Sequence, residues 1–208
     1  MNSIMHCRIS QQRWGGSMDD YLPIHNFIDS TKSLCGDGRH RILHTLWGVN
    51  HVIVPIFGHT LINSDGKAIN VKDMCERDHL LVDYNKRFIP TLGDFVEAID
   101  EADIPDFAAR IEHFHTKYID NDKISALLLS PLAETGQLKS LLLTHNSWFL
   151  NTILPQTFGI KPIIADIELS PSDFFNAMRF EYWMDNGMDY PASAKKLQQL
   201  KLKQKVIV

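Results

Sequence analysis

Three pairs of residues in this sequence have the type and spacing to do chemistry. His25 and Asp29 stand four apart, as do His40 and His44, and as do His79 and Asp83. On a helix that spacing puts both side chains on one face. Imidazole nitrogens and carboxylate oxygens are ligands that suit zinc, iron or manganese. If the pairs converge between facing helices of a bundle, His25, His40, His44, His79 and Asp83 become a ligand set for one divalent metal. Such an ion activates a bound water for hydrolysis of a phosphoester, nucleotide or amide. Asp29 and Asp83 are then the catalytic candidates, one as ligand and the other as base or as a partner orienting a histidine. A weak ion pair on a solvated helix flank is the plainer reading of His25 and Asp29.

Other chemistries have less to stand on. There is no His-Glu-x-x-His and no glycine-rich phosphate loop, and Gly36-Asp37-Gly38 is too short a signal for one. Cys75 and His79 have the types of a nucleophile and its base, but free cysteines are most often simply buried.

Helices must position these residues. Asp19 and Asp20 offer caps and Pro23 suits a first turn, which predicts a helix to Leu34 carrying His25 and Asp29. The spacing predicts a second, Arg39–Phe57, ended by Gly58, with His40, His44 and His51 on one stripe and Trp47 between them. A third, from Lys72 to about Asn85, carries Cys75, His79 and Asp83. Between the last two, Asn63-Ser64-Asp65-Gly66 predicts a β-hairpin over about residues 60–71. Thr91 to Asp94 starts a further helix. The second half predicts helices from Asp106 to Tyr118, Lys123 to Leu129 and Leu138 to Phe149, and a short strand within 160–167. It then predicts a helix capped by Ser170 that runs through Phe174, Phe175, Met178 and Trp183. His113 and His115 diverge on their helix and read as unrelated. No internal repeat is visible.

The expected fold is therefore mainly α: a helical bundle with one small hairpin and a helical C-terminal part. The expected domains are a His-rich domain over 1–103 and a C-terminal domain or extension over 104–208, meeting near the acidic break at Asp100–Asp106.

The chain has 208 residues, 44% hydrophobic and 22% charged, with a formal net charge of -4. That is ordinary globular composition and gives no overall polyanion-binding balance. No apolar run approaches a membrane span, and no signal-type segment opens the sequence. Cys7, Cys35 and Cys75 have no paired spacing, which fits free thiols in a cytoplasm. Lys195, Lys196, Lys201, Lys203 and Lys205 form the one basic cluster. A phosphate or RNA contact is one reading, but no arginine or aromatic residue is interleaved, so a solvated helix face fits better and nucleic acid is not the expected partner.

The order of motifs resembles a small family of uncharacterised bacterial and phage proteins. The resemblance rests on His6 ahead of Gly15-Gly16, then Asp20-Tyr21-Leu22-Pro23-Ile24-His25, Asp29-Ser30, Arg39-His40-Arg41, His44, Phe57-Gly58, Asn63-Ser64-Asp65-Gly66, Asp78-His79 and Ile89-Pro90-Thr91. It covers roughly residues 5–99 and implies a complete N-terminal domain of no established activity. It matches His6, His25, His40, His44 and His79 to family histidines. Cys7 and Arg8 depart from a more histidine-rich start, which weighs against His6 as a ligand. The second half resembles no family, as an added module of a phage-encoded variant would.

Two functions follow. One is an interaction protein for a host or phage macromolecule, presenting Phe175, Tyr182 and Trp183 from an aromatic-rich helix. The other is a metal-dependent hydrolase built on the His/Asp cluster.

Overall fold

In the computed structural model the described residues are 1–100, 106–163 and 169–205, with side chains followed to Leu202. Among them the fold is mainly α, and the one sheet is an antiparallel hairpin pairing Thr60–Ile62 with Ala68–Asn70. The chain forms two compact units. The first is Met1–Asp94 together with the segment from Phe180 onward, and the second is Phe95–Arg179. The C-terminal segment thus groups with the first unit. The acidic break expected at the boundary lies largely outside the described residues.

Caps explain where the helices of the first unit begin. Asn2 accepts from Met5 N and starts Ser3–Trp14. Gly15 and Gly16, both at positive φ, turn the chain. Ser17 and Asp20 then form a capping box for Met18–Ile28. The hairpin turn docks here: Asp65 Oδ2 accepts from Gly16 N at 2.7 Å, and Asp20 Oδ2 accepts from Ser64 Oγ at 2.8 Å. A Cβ on Gly16 would sit on Asp20 and Asn63. Tyr21, Ile24 and Ile28 from the second helix meet Val49, Ile53, Ile69, Val71, Met74 and Leu80 in one buried cluster. Burying such side chains is worth about 1.5–3 kcal/mol each, and it holds the His-bearing segments against one another.

Two expected helices are broken in ways that matter. Arg39–Phe57 is not continuous. It is a 3-10 turn over Gly38–Leu43, a cap at Thr45, a short helix over Leu46–Gly48, a π turn over Val49–Ile53 and a last helical turn over Val54–Phe57. The segment carrying His79 likewise contains a π turn, Cys75–Leu80, between Val71–Met74 and Leu81–Asp83. Wide turns of this kind re-aim side chains and concentrate at functional sites.

The segment from Phe180 is pinned to the first unit by arginine. Arg41, buried, donates to Met184 O at 2.7 Å and to Asn186 Oδ1 at 3.0 Å, with its guanidinium over the Tyr84 ring. Arg87 donates to Gly187 O and lies over the Tyr190 ring.

The second unit repeats local structure of the first. The 3-10 turn Leu138–Leu143 leads to His145, to an Asn146 cap on Phe149 N, to Trp148, to a π turn over Phe149–Ile153 and to a helix over Leu154–Phe158 ended by Gly159. In the first unit His44, Thr45, Trp47, Val49–Ile53 and Gly58 take those places in the same order. The capping pairs Thr91/Asp94 and Ser170/Asp173 continue the match, each opening a short helix, Leu92–Ala98 and Pro171–Ala177, that leads into a short extended segment. Those two segments pair antiparallel at Ile99 and Met178, through Asp100 N to Ala177 O at 2.8 Å and Arg179 N to Ala98 O at 2.7 Å. This corrects the reading that the sequence holds no repeat. The shared residues are few, and the chain between Gly159 and Ser170 is too short for the hairpin and the helical segment with His79 that the first unit carries there. Of the short strand expected within 160–167, residues 160–163 form no regular structure and the rest lies outside the described residues.

Candidate metal centre

Four buried side chains of the first unit bring one donor atom each to a common point. They are Asp29, His44, His79 and Asp83, and these atoms lie within 4.8 Å of one another. Asp29 opens the 3-10 turn that follows Met18–Ile28, and His44 ends the 3-10 turn Gly38–Leu43. His79 sits in the π turn, and Asp83 closes the short helix after it.

The separations have a chemical meaning. His44 Nε2 is 3.1 Å from His79 Nε2, 3.3 Å from Asp29 Oδ1 and 3.2 Å from Asp83 Oδ2. His79 Nε2 is 3.4 Å from Asp29 Oδ1 and 3.7 Å from Asp83 Oδ2. Ligands at about 2.0–2.2 Å from a tetrahedral ion stand roughly 3.3–3.6 Å apart. A single proton on one imidazole could satisfy only one of these contacts, whereas a divalent cation satisfies all four donors. Apart from their ion-pair contacts, Asp29 Oδ1 and Asp83 Oδ2, both at the common point, have no hydrogen-bond partner, and a buried polar atom without a partner is costly.

The electrostatics agree. His25 and His79 are fully buried, and burial drives His25 down to about 3 and His79 well below the ordinary histidine range. Both rings are neutral at pH 7, as metal ligation requires. Burial on its own would raise Asp29 and Asp83, but contacts from His44 with His79, and from His44 with His6, outweigh it and keep both carboxyls well below their usual range. The two carboxylates balance the charge of a divalent ion.

More residues surround the four. His6 stacks on His79 with ring centroids 3.8 Å apart, and its Nε2 lies 3.2 Å from Asp83 Oδ1. His25 Nδ1 is 3.0 Å from His79 Nδ1, so His25 touches a donor histidine from behind and is outside the four. His40 is outside them too. Its Nδ1 donates to Asp37 O, its ring meets His44 edge-on, and burial lowers it to about 4. Asp29, read as a catalytic residue or as a solvated flank, is buried and among the four. His51, expected on the same stripe, stacks instead on Trp47 because the helix is broken there. Sequence reasoning missed Ser10 and Asp78, and it weighed against His6. The signals available were His6 and Ser10 four apart, and Asp78 directly beside His79.

Elsewhere the candidates disperse. Phe175 and Trp183 are buried and Tyr182 is 73% exposed. The helix that carries Phe175 ends at Ala177, and Trp183 lies in a separate turn over Tyr182–Met184, so no single aromatic helix face exists. Lys195, Lys196 and Lys201 are exposed on Ala192–Lys205, with Lys195 paired to Asp189 at 2.7 Å. The Lys203 side chain lies outside the described residues. Cys75 is fully buried and its thiol is pushed well up, away from nucleophilic character.

The second unit keeps a histidine pair where the first has its cluster. His115 Nε2 and His145 Nε2 are 2.9 Å apart, His145 Nδ1 donates to Leu141 O at 3.1 Å, and Ser125 Oγ reaches His115 Nδ1 at 3.4 Å. Each ring nitrogen has a partner, and among the described residues no carboxylate joins them. His115→Ala should leave metal content unchanged. Loss of bound metal in that variant would move the centre to the second unit.

A helical domain organised round a buried, metal-competent group of two histidines and two aspartates is the class that this fold and site define. The family whose pattern matches is described as a domain of unknown function (DUF6915), over residues 1–104, and the chain belongs to it. No curated protein matches the chain, and no solved structure matches it. No helix among the described residues is long and apolar enough to cross a membrane.

Proposed function

We propose that the N-terminal unit binds one divalent transition-metal ion through Asp29, His44, His79 and Asp83, and that the ion serves hydrolysis by activating water. The observation that supports this is the set of five separations that involve a histidine, 3.1–3.7 Å, among four buried side chains from three segments whose donor atoms all lie within 4.8 Å. The ligand types favour a hydrolytic centre over a purely structural one. Structural zinc sites are rich in cysteine, whereas a mixed nitrogen and oxygen set suits zinc, iron or manganese that acts as a Lewis acid.

Access to the centre lies by Asp29. Lys32 Nζ is 2.7 Å from Asp29 Oδ1 and its side chain is 38% exposed, while Ser3 Oγ donates to Asp29 Oδ2 at 3.1 Å. The lysine competes with an ion for the same oxygen. Lys32→Met should therefore tighten metal binding, by about tenfold after allowance for solvent screening. Competition titration against a chromophoric chelator measures it, and weaker binding in the variant would contradict this placement of the ion.

The reading is tested on untagged protein with manganese or zinc restored and a generic phosphodiester as substrate. Turnover that vanishes in Asp29→Ala and Asp83→Ala supports hydrolysis. Metal bound without turnover against phosphoester, nucleotide and amide substrates would leave a metal-binding domain and end the hydrolase reading.

A further inference from the structure

We propose that Ser10 and His25 are positioning residues of the metal centre, locking His79 in the tautomer that presents its Nε2 lone pair to the ion, with the Asp78 carboxylate as the terminal acceptor. The inference rests on the metal reading above and goes beyond its four donors. It follows from counting protons along one buried line. Asp78 is fully buried, and its carboxylate can only accept: Oδ1 takes Arg13 Nε–H at 2.6 Å, and Oδ2 takes Trp14 Nε1–H at 2.7 Å. Ser10 Oγ, 3.0 Å from Asp78 Oδ2, spends its one hydroxyl proton there. Its oxygen must then accept from His25 Nε2, 2.9 Å away, so that nitrogen carries a proton. A neutral His25 has its lone pair on Nδ1, which faces His79 Nδ1 at 3.0 Å. Two lone pairs cannot face each other at that distance, so His79 Nδ1 carries the proton. The lone pair of His79 is left on Nε2, directed at His44 Nε2 and the two aspartate oxygens.

Every step has one solution, and the solution is the tautomer a metal needs. A donor histidine whose second nitrogen is held by a hydrogen bond is the usual support of a metal site, and loss of such support costs about 10–100-fold in affinity. Here the support runs through three residues, His25, Ser10 and Asp78. Asp78 contributes a second time, since its main-chain carbonyl accepts from His6 Nδ1 at 2.7 Å. One residue thus sets the proton positions of two rings stacked face to face.

The experiment combines ring-nitrogen NMR of the full chain with zinc titration. Metal-free protein should show His79 protonated on Nδ1 and unprotonated on Nε2. Ser10→Ala should weaken zinc about 10–100-fold, still at one equivalent, and mix the two tautomers of His79. A merely structural serine would alter neither the tautomer nor the affinity, so no change in both overturns the proposal. His79 protonated on Nε2 in the wild type also overturns it, and that reading needs no variant to fold. If the wild type takes no zinc, the metal reading fails separately, while the tautomer comparison in metal-free protein still decides the relay.

Discussion

Asp83→Asn should reduce divalent-metal affinity more than a hundredfold and remove the thermal stabilisation that the metal confers. The substitution keeps the side-chain shape and removes the charge. Asp83 is the carboxylate most enclosed by imidazole, 3.2 Å from His6 Nε2 and 3.2 Å from His44 Nε2. An amide oxygen is a weaker ligand than a carboxylate for zinc, iron or manganese, and one negative charge near the ion is lost. A ligand that binds only the folded state stabilises by about 4.1 kcal/mol at a thousand times its dissociation constant. For a chain of this size that is a rise in Tm on the order of 10 °C. In chelator the same variant should also lose stability, because the charged Asp83 pairs with the N-terminal ammonium at 2.9 Å and with His6 and His44, but the loss should be smaller than the one seen with metal. Calorimetry with and without metal separates the two effects. A variant equally destabilised in both conditions would mean that Asp83 serves only the core.

Acid should unfold the metal-free protein early, and this is the second large effect. His25 and His145 are held neutral by burial and titrate only at about 3 in the folded state, while His79 lies well below its ordinary range. In the unfolded chain each titrates near 6.5. Between about pH 6.5 and 3 the unfolded state binds more protons, so stability falls as pH falls. Each such histidine loses up to about 1.4 kcal/mol per pH unit in that window. His25 and His145 each lose about 1 kcal/mol on going from pH 6.5 to 5.5, because the unfolded imidazole is already half protonated at the upper end, and His79 adds a loss of the same sign. The aspartates have the same sign at lower pH: Asp29 and Asp83, held below their usual range, lose their contribution as pH falls below about 3.9. Denaturant midpoints at pH 7.5, 6.5 and 5.5 in chelator test this, and a flat profile would contradict burial of neutral imidazole.

The sequence carries much of the site through spacing. Two of the three pairs with four-residue spacing, His25/Asp29 and His79/Asp83, were legible as faces of helices. That these faces converge was not, because convergence depends on tertiary packing of Ile24, Ile28, Val49, Ile53 and Leu80, which a one-dimensional period does not fix. An ideal helix would put His40, His44 and His51 on one stripe. The Thr45 cap and the π turn after Gly48 break that helix, so His44 enters the cluster and His51 leaves it. The hairpin was legible from Asn63 to Gly66 because turn chemistry is local. Ser10 leaves only its four-residue spacing from His6 as a signal, because its role is set by contacts with His25 and Asp78, distant in sequence. The repeat in the second unit stayed hidden because it is a repeat of caps and turns, with different residues such as Thr45 and Asn146 performing the same cap.

The most direct test of the central claim is elemental analysis of untagged protein purified without added metal, followed by titration with zinc and manganese. One equivalent of a divalent transition metal per chain, present on purification or taken up on titration and lost in both His79→Ala and Asp83→Asn, is the predicted result. No metal on purification and none taken up at micromolar concentration would contradict the account, and would make the cluster a hydrogen-bonded feature of the core.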